Sequence, residues 1–237
     1  SEIGRQYPGF RLLMDTEVTG IIEEHGCIKG ITAKDNYGEL EIRADLVIGA
    51  DGRHSIVRDK AGMEIINHGA PIYVLWFRLS KQSNDEEQLF GVINYGMMMV
   101  MIDRGDYWQC AFIIAKGDFE KIKNDGLEKF RESLVKLAPF TNDRMNEISD
   151  WDKVKLLSVR VYHLKKWHKF GLLFIGDASH AMSPIGGFGI NLAIQDAVAA
   201  ANILIPIMKE RNPNEDDLVR VQKRRQFPTN ITQRFQV

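Results

Sequence analysis

Apolar positions in the first fifty residues recur in short runs at strand spacing. Residues 10–14 form one such run, and 18–24 and 27–34 form two more, parted by His25-Gly26, a hairpin-type break. Asn36-Tyr37-Gly38 supplies the next turn, and residues 39–43 alternate polar and apolar. Asp45 opens an unbroken apolar run, Leu46-Val47-Ile48-Gly49-Ala50, which predicts a strand buried on both faces. The run stops at Asp51-Gly52, and Ser55 is placed to cap a short helix over 56–61.

The middle of the chain has a different texture. Residues 72–79 carry Tyr, Trp, Phe and Val, and 81–88 are a polar connection. Residues 89–93, 97–102 and 107–114 read as three strands broken by Asn94-Tyr95-Gly96 and Asp103-Arg104-Gly105-Asp106, which predicts an antiparallel sheet. Leu127, Phe130, Leu134 and Leu137 share one face of a helix over 126–137, ended by Pro139.

Beyond it the style of the beginning returns. Residues 156–161 read as a strand, and Leu172-Leu173-Phe174-Ile175 as a second doubly buried strand ending at Gly176-Asp177. The loop Ser183-Pro184-Ile185-Gly186-Gly187-Phe188-Gly189 opens a helix from about 190 to 208, apolar on nearly every face and so expected to be buried. Asn191, Gln195, Asp196 and Asn202 interrupt it, which argues against a membrane span. Residues 211–217 are a polar break, followed by a poorly patterned tail with Lys223-Arg224-Arg225.

The pattern predicts an α/β chain. A discontinuous Rossmann-like domain, 1–69 with 150–210, encloses an inserted antiparallel sheet, 70–149, and a basic tail covers 211–237. Both strand–loop–helix elements end in an acidic-glycine turn, and ligands of open α/β sheets sit beyond the carboxyl ends of the strands. Composition narrows the classes. With 44% hydrophobic residues over 237 positions the chain is not disordered. Its 31 Lys+Arg against 32 Asp+Glu lack the basic excess of a general nucleic-acid binder. Cys27 and Cys110 stand in no disulfide or metal framework. With no apolar leader, a cytoplasmic location is expected. His163 and His168 are five apart, a poor spacing for metal on a helix. Asp177, Ser179 and His180 crowd a single turn, and a catalytic triad is recognised by spatial geometry.

The chemistry concentrates in 172–191. An ionised Asp177 is acceptor-only and suits sugar-alcohol hydroxyls. Gly186, Gly187 and Gly189 let the backbone approach a ligand, and the helix start behind them offers unpaired N–H groups to an anion or an electron-rich ring. The plainer reading of the same residues is a tight connection into a capped helix.

Two segments carry a family likeness. Gly176-Asp177-Ala178-Ser179-His180-Ala181-Met182-Ser183-Pro184 with Gly186-Gly187-Phe188-Gly189-Ile190-Asn191 resembles the second flavin motif of FAD-dependent aromatic-ring hydroxylases, the p-hydroxybenzoate hydroxylase-like monooxygenases. Residues 45–58, built around Asp51-Gly52, resemble that family's middle motif, associated with FAD and NAD(P)H. The resemblance implies that Asp177 bonds the ribityl chain of FAD, with Gly176 beside it among the cofactor-binding residues. It implies that Pro184, Gly186, Gly187, Gly189, Ile190 and Asn191 pass beside the isoalloxazine, with N–H groups near Gly189 and Asn191 facing its N1 and C2 carbonyl. Asp51 and Gly52 fall near the pyrophosphate and ribityl region, and Arg58 has a structural role. The insert becomes a substrate-covering sheet, with Trp76, Phe77, Phe90, Met97, Met98, Met99, Met101 and Trp108 as candidate walls of an apolar pocket; sheet core is the plainer reading of each. The implied activity is a monooxygenase in which NAD(P)H reduces FAD, O2 adds to the reduced flavin, and the hydroperoxide transfers oxygen to an aromatic or apolar small molecule. No catalytic acid or base is identified. A flavin-dependent reductase or dehydrogenase on the same scaffold, and a truncated non-catalytic ligand-binding chain, are the alternatives.

The family's Gly-x-Gly-x-x-Gly unit does not occur in the sequence, which opens at Ser1 in what resembles the family's third segment. The expectation is therefore an incomplete flavoprotein whose strand over 46–50 exposes an edge and which alone binds FAD weakly or not at all.

Overall fold

The computed structural model describes residues 2–69, 72–85, 90–94 and 96–236, apart from the side chains of Phe90 and Ile185. The chain forms two compact units: Ser1–His68 with Val161–Gln236, and Gly69–Arg160.

The first unit opens with a one-turn helix, α1 (Glu2–Arg5), and an antiparallel sheet of β1 (Glu17–Glu24), β2 (Cys27–Asp35) and β3 (Gly38–Arg43). The β1–β2 turn works because His25 and Gly26 both take positive φ, at 49° and 77°. The β2–β3 turn is held by Asp35 Oδ1, which accepts the N–H groups of Tyr37 and Gly38. The apolar run over 10–14 forms no strand. Leu12, Leu13 and Met14 lie exposed, with no sheet pairing among the described residues.

β4 (Val47–Gly49), α2 (Ile56–Lys60) and β5 (Ile65–Asn67) follow, with Ser55 Oγ accepting the Arg58 N–H at 3.0 Å as the α2 cap. After the insert come β11 (Tyr162–Leu164), β12 (His168–Lys169), β13 (Leu172–Phe174), β14 (His180–Ala181), α5 (Phe188–Met208) and α6 (Glu215–Arg234). β13 pairs with β4 in parallel and with β12 antiparallel, while β11 sits between β14 and β5. All three residues of β13 are fully buried, as their pattern predicts. β4 is an edge strand among the described residues, as expected for a chain without the glycine-rich unit, but it is not buried on both faces: Ile48 is 47% exposed.

α5 also departs from expectation. Leu192, Asp196, Ala199, Ala200 and Leu204 face inward, but Ile190, Ile194 and Val198 form an exposed stripe at helical spacing. By length and composition α5 alone among the described helices is apolar enough to cross a membrane. The predicted basic tail is replaced by a helix. α6 starts with a capping box, in which Asn214 Oδ1 accepts the Asp217 N–H and Asp217 Oδ2 accepts the Asn214 N–H. Leu218 and Val221 are fully buried against Leu173, Ala200 and Leu204. The pattern escapes a hydropathy reading because the rest of the inward face is polar: Gln222, Arg225, Thr229 and Gln233.

The second unit is a five-stranded antiparallel sheet of β6 (Ile72–Ser80), β7 (Phe90–Asn94), β8 (Met97–Asp103), β9 (Tyr107–Ala115) and β10 (Lys155–Ser158), in the order β10–β6–β9–β8–β7. Two helices, α3 (Asp118–Asp125) and α4 (Leu127–Leu137), follow β9. One face of the sheet, including Leu75, Phe77, Met99, Met101, Cys110 and Phe112, packs with Phe130, Leu134 and Leu137 of α4. Residues 150–160 belong to this unit rather than to the first, because β10 pairs with β6 from Lys155↔Trp76 to Ser158↔Tyr73.

Candidate functional site

The parallel pairing of β4 and β13 brings both acidic-glycine turns to one sheet edge; the bond from Ile175 N–H to Gly49 O, 3.0 Å, extends that pairing by one step. Beyond it opens a cleft of about 650 Å3, lined by Gly52 and Arg53 from one turn, Gly176 and Asp177 from the other, and Pro184, Gly187, Gly189 and Ile190 from the glycine-rich loop and α5. Met182, Ala193, Ile194 and Ala197 complete an apolar wall.

Positive φ demands glycine at Gly52 (83°), Gly176, Gly186 (80°) and Gly187. Gly176 has φ 58°, and a Cβ there would stand 3.1 Å from the Ala193 Cβ, so the turn lies tight against α5. Gly187, at φ 65°, is the N-cap of α5, and no side chain among the described residues caps it. The first turn of α5, with N–H groups that have no partner within the helix, therefore lies at the cleft, which Gly189 and Ile190 line. Asp177 keeps 36% of its side chain exposed and lies 3.8 Å from Arg53 Nη2. The set combines an acceptor, a cation and a helix N-terminus in one apolar-walled trough, and it fits a ligand with hydroxyls, an anionic group and a flat ring.

Three predicted flavin residues stand apart from this lining. Asp51 Oδ2 accepts the Val57 N–H at 3.2 Å and so helps cap α2. Gly186 is explained by packing: a Cβ there would be 2.3 Å from the Phe188 ring. Asn191 is exposed on α5 and does not line the cleft. Ser179 Oγ donates to Gly176 O at 3.0 Å, and His180 Nε2 meets Asp196 rather than Ser179.

Sequence reasoning missed the device that joins the two turns. Arg58, 4% exposed, donates through Nη1 to Tyr162 Oη (2.7 Å) and through Nη2 to Arg53 O (3.0 Å). Its Nε also meets a carboxylate, Asp59 at 3.2 Å. Tyr162 Oη lies 2.7 Å from Asp177 O and 3.1 Å from Arg53 O; its single proton goes to the nearer Asp177 carbonyl while Arg58 Nη2 holds Arg53 O, so phenol and guanidinium together tether the backbones of both turns. Burial pushes the Tyr162 phenol above its ordinary range against the opposing pull of Arg58, which keeps it a donor.

The predicted pocket residues of the insert divide between two faces of the sheet. Met99 and Trp108 are fully buried on the α4 side, where the Trp108 indole N–H donates to Asp85 at 2.8 Å. Phe77 and Met101 share that core. Met97 is on the same side, at a groove of about 320 Å3 with Phe112, Ile122 and Phe130. Phe90 has its side chain outside the described residues. Trp76 points to the opposite face, opposite Ala111, and that face carries half-buried Met98, Val100 and Ile113.

Comparison with known proteins agrees with this geometry. A family model described as an FAD binding domain matches residues 4–235. The chain is 33% identical over 242 residues to 6-methylpretetramide 4-monooxygenase of Streptomyces rimosus, covering 98% of the chain and 56% of that protein. It is 28% identical over 202 residues to the FAD-dependent monooxygenase ltmM of Epichloe festucae, covering 73% of the chain and 41% of that protein. The chain thus spans about half the length of these relatives. Among solved structures, PqsL, a probable FAD-dependent monooxygenase from Pseudomonas aeruginosa, shares the fold with TM-score 0.76 at 21% identity, over 93% of this chain and 62% of that one. The two acidic-glycine turns, the cleft between them and the family match place this chain in the FAD-dependent aromatic-ring hydroxylase family.

Proposed function

We propose that this chain is the flavin-holding part of an FAD- and NAD(P)H-dependent monooxygenase that places one oxygen atom of O2 into an aromatic or apolar small molecule. The observation that carries this reading is the single cleft formed by the Gly52-Arg53 turn, the Gly176-Asp177 turn and the open end of α5. FAD, when bound, supplies electron acceptance from NAD(P)H and the activation of O2.

The chain's own residues bind and shield. Asp177 accepts hydroxyl donors of the sugar-alcohol chain, and Arg53 offers a cation to phosphate. The N–H groups at Phe188 and Gly189, in the first turn of α5, stabilise negative charge on the ring by roughly 0.3–1 kcal/mol, more where water is excluded, while the Gly187 N–H is held by Pro184 O at 3.0 Å. Ile190, Ile194 and Ala197 give that wall an apolar surface. The substrate face of the insert is the half-buried one with Trp76 and Met98, since the other is filled by α4. An aromatic substrate is in keeping with the relatives: PqsL has been crystallised with 2-aminobenzoylacetate.

A glycine-rich nucleotide-binding segment outside these 237 residues completes the site in this reading. The exposed Ile48 on the edge strand β4, and the exposed Ile194 and Val198 of α5, supply the apolar surface for it. Incubating the intact protein with FAD, NAD(P)H, isotopically labelled O2 and candidate aromatic substrates tests the activity. The expected result is one labelled oxygen in the product. A product without label would contradict oxygen insertion and favour a reductase.

A further inference from the structure

We propose that a buried trio, His180, Asp196 and Arg225, positions the flavin turn, and that α6 is through Arg225 a working part of the flavin site. The inference rests on the flavin reading above. Asp196, on α5, is fully buried, and His180 and Arg225 are 1% and 7% exposed. Asp196 Oδ2 takes the Gly176 N–H at 3.0 Å and His180 Nε2 at 2.5 Å; its Oδ1 takes Arg225 Nε at 2.8 Å.

Three observations favour positioning over bulk stability. First, a buried ionic cluster adds little net stability over an apolar core, because desolvation offsets its attraction. Second, both ends of the 176–180 segment attach to the same oxygen: the N–H where the chain turns out of β13, and the imidazole four residues on. The segment between them carries Asp177, so its direction into the cleft follows from where Asp196 sits. Third, His180 Nδ1 and Arg225 Nη2 find no hydrogen-bond partner among the described residues, which leaves Asp196 as the group on which the trio converges. The Trp167 ring packs against the imidazole at 4.8 Å, tilted by 40°. Burial raises the Asp196 carboxyl, and its donors outweigh that and hold it below the usual range, so it remains an acceptor.

The test uses Asp196→Asn, His180→Ala and His180→Gln in the intact protein, since Gln replaces the Nε2 donor with an amide N–H. Two quantities are read: FAD affinity by flavin fluorescence, and hydrogen exchange of the Gly176 amide in the flavin-free protein. Asp196→Asn and His180→Ala are expected to weaken FAD binding about tenfold and to speed Gly176 exchange about tenfold, the scale of one charge-assisted hydrogen bond. His180→Gln is expected to restore both to within about threefold. If Asp196→Asn does not fold, the His180 pair decides alone. Unchanged exchange and affinity in His180→Ala, or equal damage from Gln and Ala, would overturn the proposal. Wild-type protein that takes up no FAD would instead overturn the flavin reading, while the exchange data still judge the trio.

Discussion

Tyr162 shows what a single hydroxyl does here. It sits on a three-residue strand, 104 residues from Arg58, and its oxygen touches both turn backbones and the guanidinium. Tyr162→Phe keeps the ring and removes these bonds. It is expected to cost about 1–3 kcal/mol in urea unfolding and to weaken FAD binding several-fold, because a buried Arg58 donor and the Asp177 carbonyl lose a partner. Wild-type values in both measurements would show the tether to be idle. The histidines make a pH prediction. Burial holds the His163 and His168 imidazoles below their ordinary 6.5, with His68, 2.8 Å away, adding like-charge pressure on His163. The unfolded chain therefore binds protons first as the medium is acidified, and stability is full above pH 6.5 and declines below it. The urea midpoint should fall between pH 7.5 and pH 5.5, and less so in a His163→Gln, His168→Gln variant. At this scale, the residues legible in the sequence are those whose chemistry is local. Gly52, Gly176, Asp177 and Gly187 are marked by the turns they make, whereas Tyr162, Asp196 and Arg225 acquire their roles only from partners brought in by the fold.

Helices α5 and α6 were the least legible elements, for opposite reasons. The apolar sequence of α5 predicts burial on all sides, yet one stripe faces out; hydropathy records what a surface prefers, not whether its partner is within the same 237 residues. α6 hides its inward face behind Gln222, Arg225, Thr229 and Gln233 and so resembles a solvated tail. Leu218→Ala is therefore expected to cost about 2–5 kcal/mol by urea unfolding, as for a core leucine, while Lys223→Ala on the exposed face changes stability by about 0.5 kcal/mol or less. A dispensable tail would give no loss from either. The strands fared better. Hairpin signals at His25-Gly26 and Asn36-Tyr37-Gly38 and the doubly apolar β13 follow directly from turn chemistry and from burial on two faces. The apolar run of β4 gives its place but not its burial, because an edge strand and a central strand share one pattern; the lack of a glycine-rich unit is what points to the edge.

For the whole molecule, the sequence placed the divisions between its units at 69/70 and 149/150, and the structure puts them at 68/69 and 160/161. The second shift has one cause: β10 is short and weakly patterned, and only its pairing with β6 shows which unit it joins. The glycines and Asp177 that line the cleft are marked by local sequence, and the parallel pairing of two strands with like endings fixes where their loops meet. The central claim is that this cleft holds FAD with Asp177 as a direct acceptor. Titration of the intact protein and its Asp177→Ala variant with FAD, followed by flavin fluorescence, tests it most directly. Saturable uptake by the wild type and an affinity lower by about tenfold or more in the variant are predicted; equal affinity in the two, or no uptake by the wild type, would contradict it.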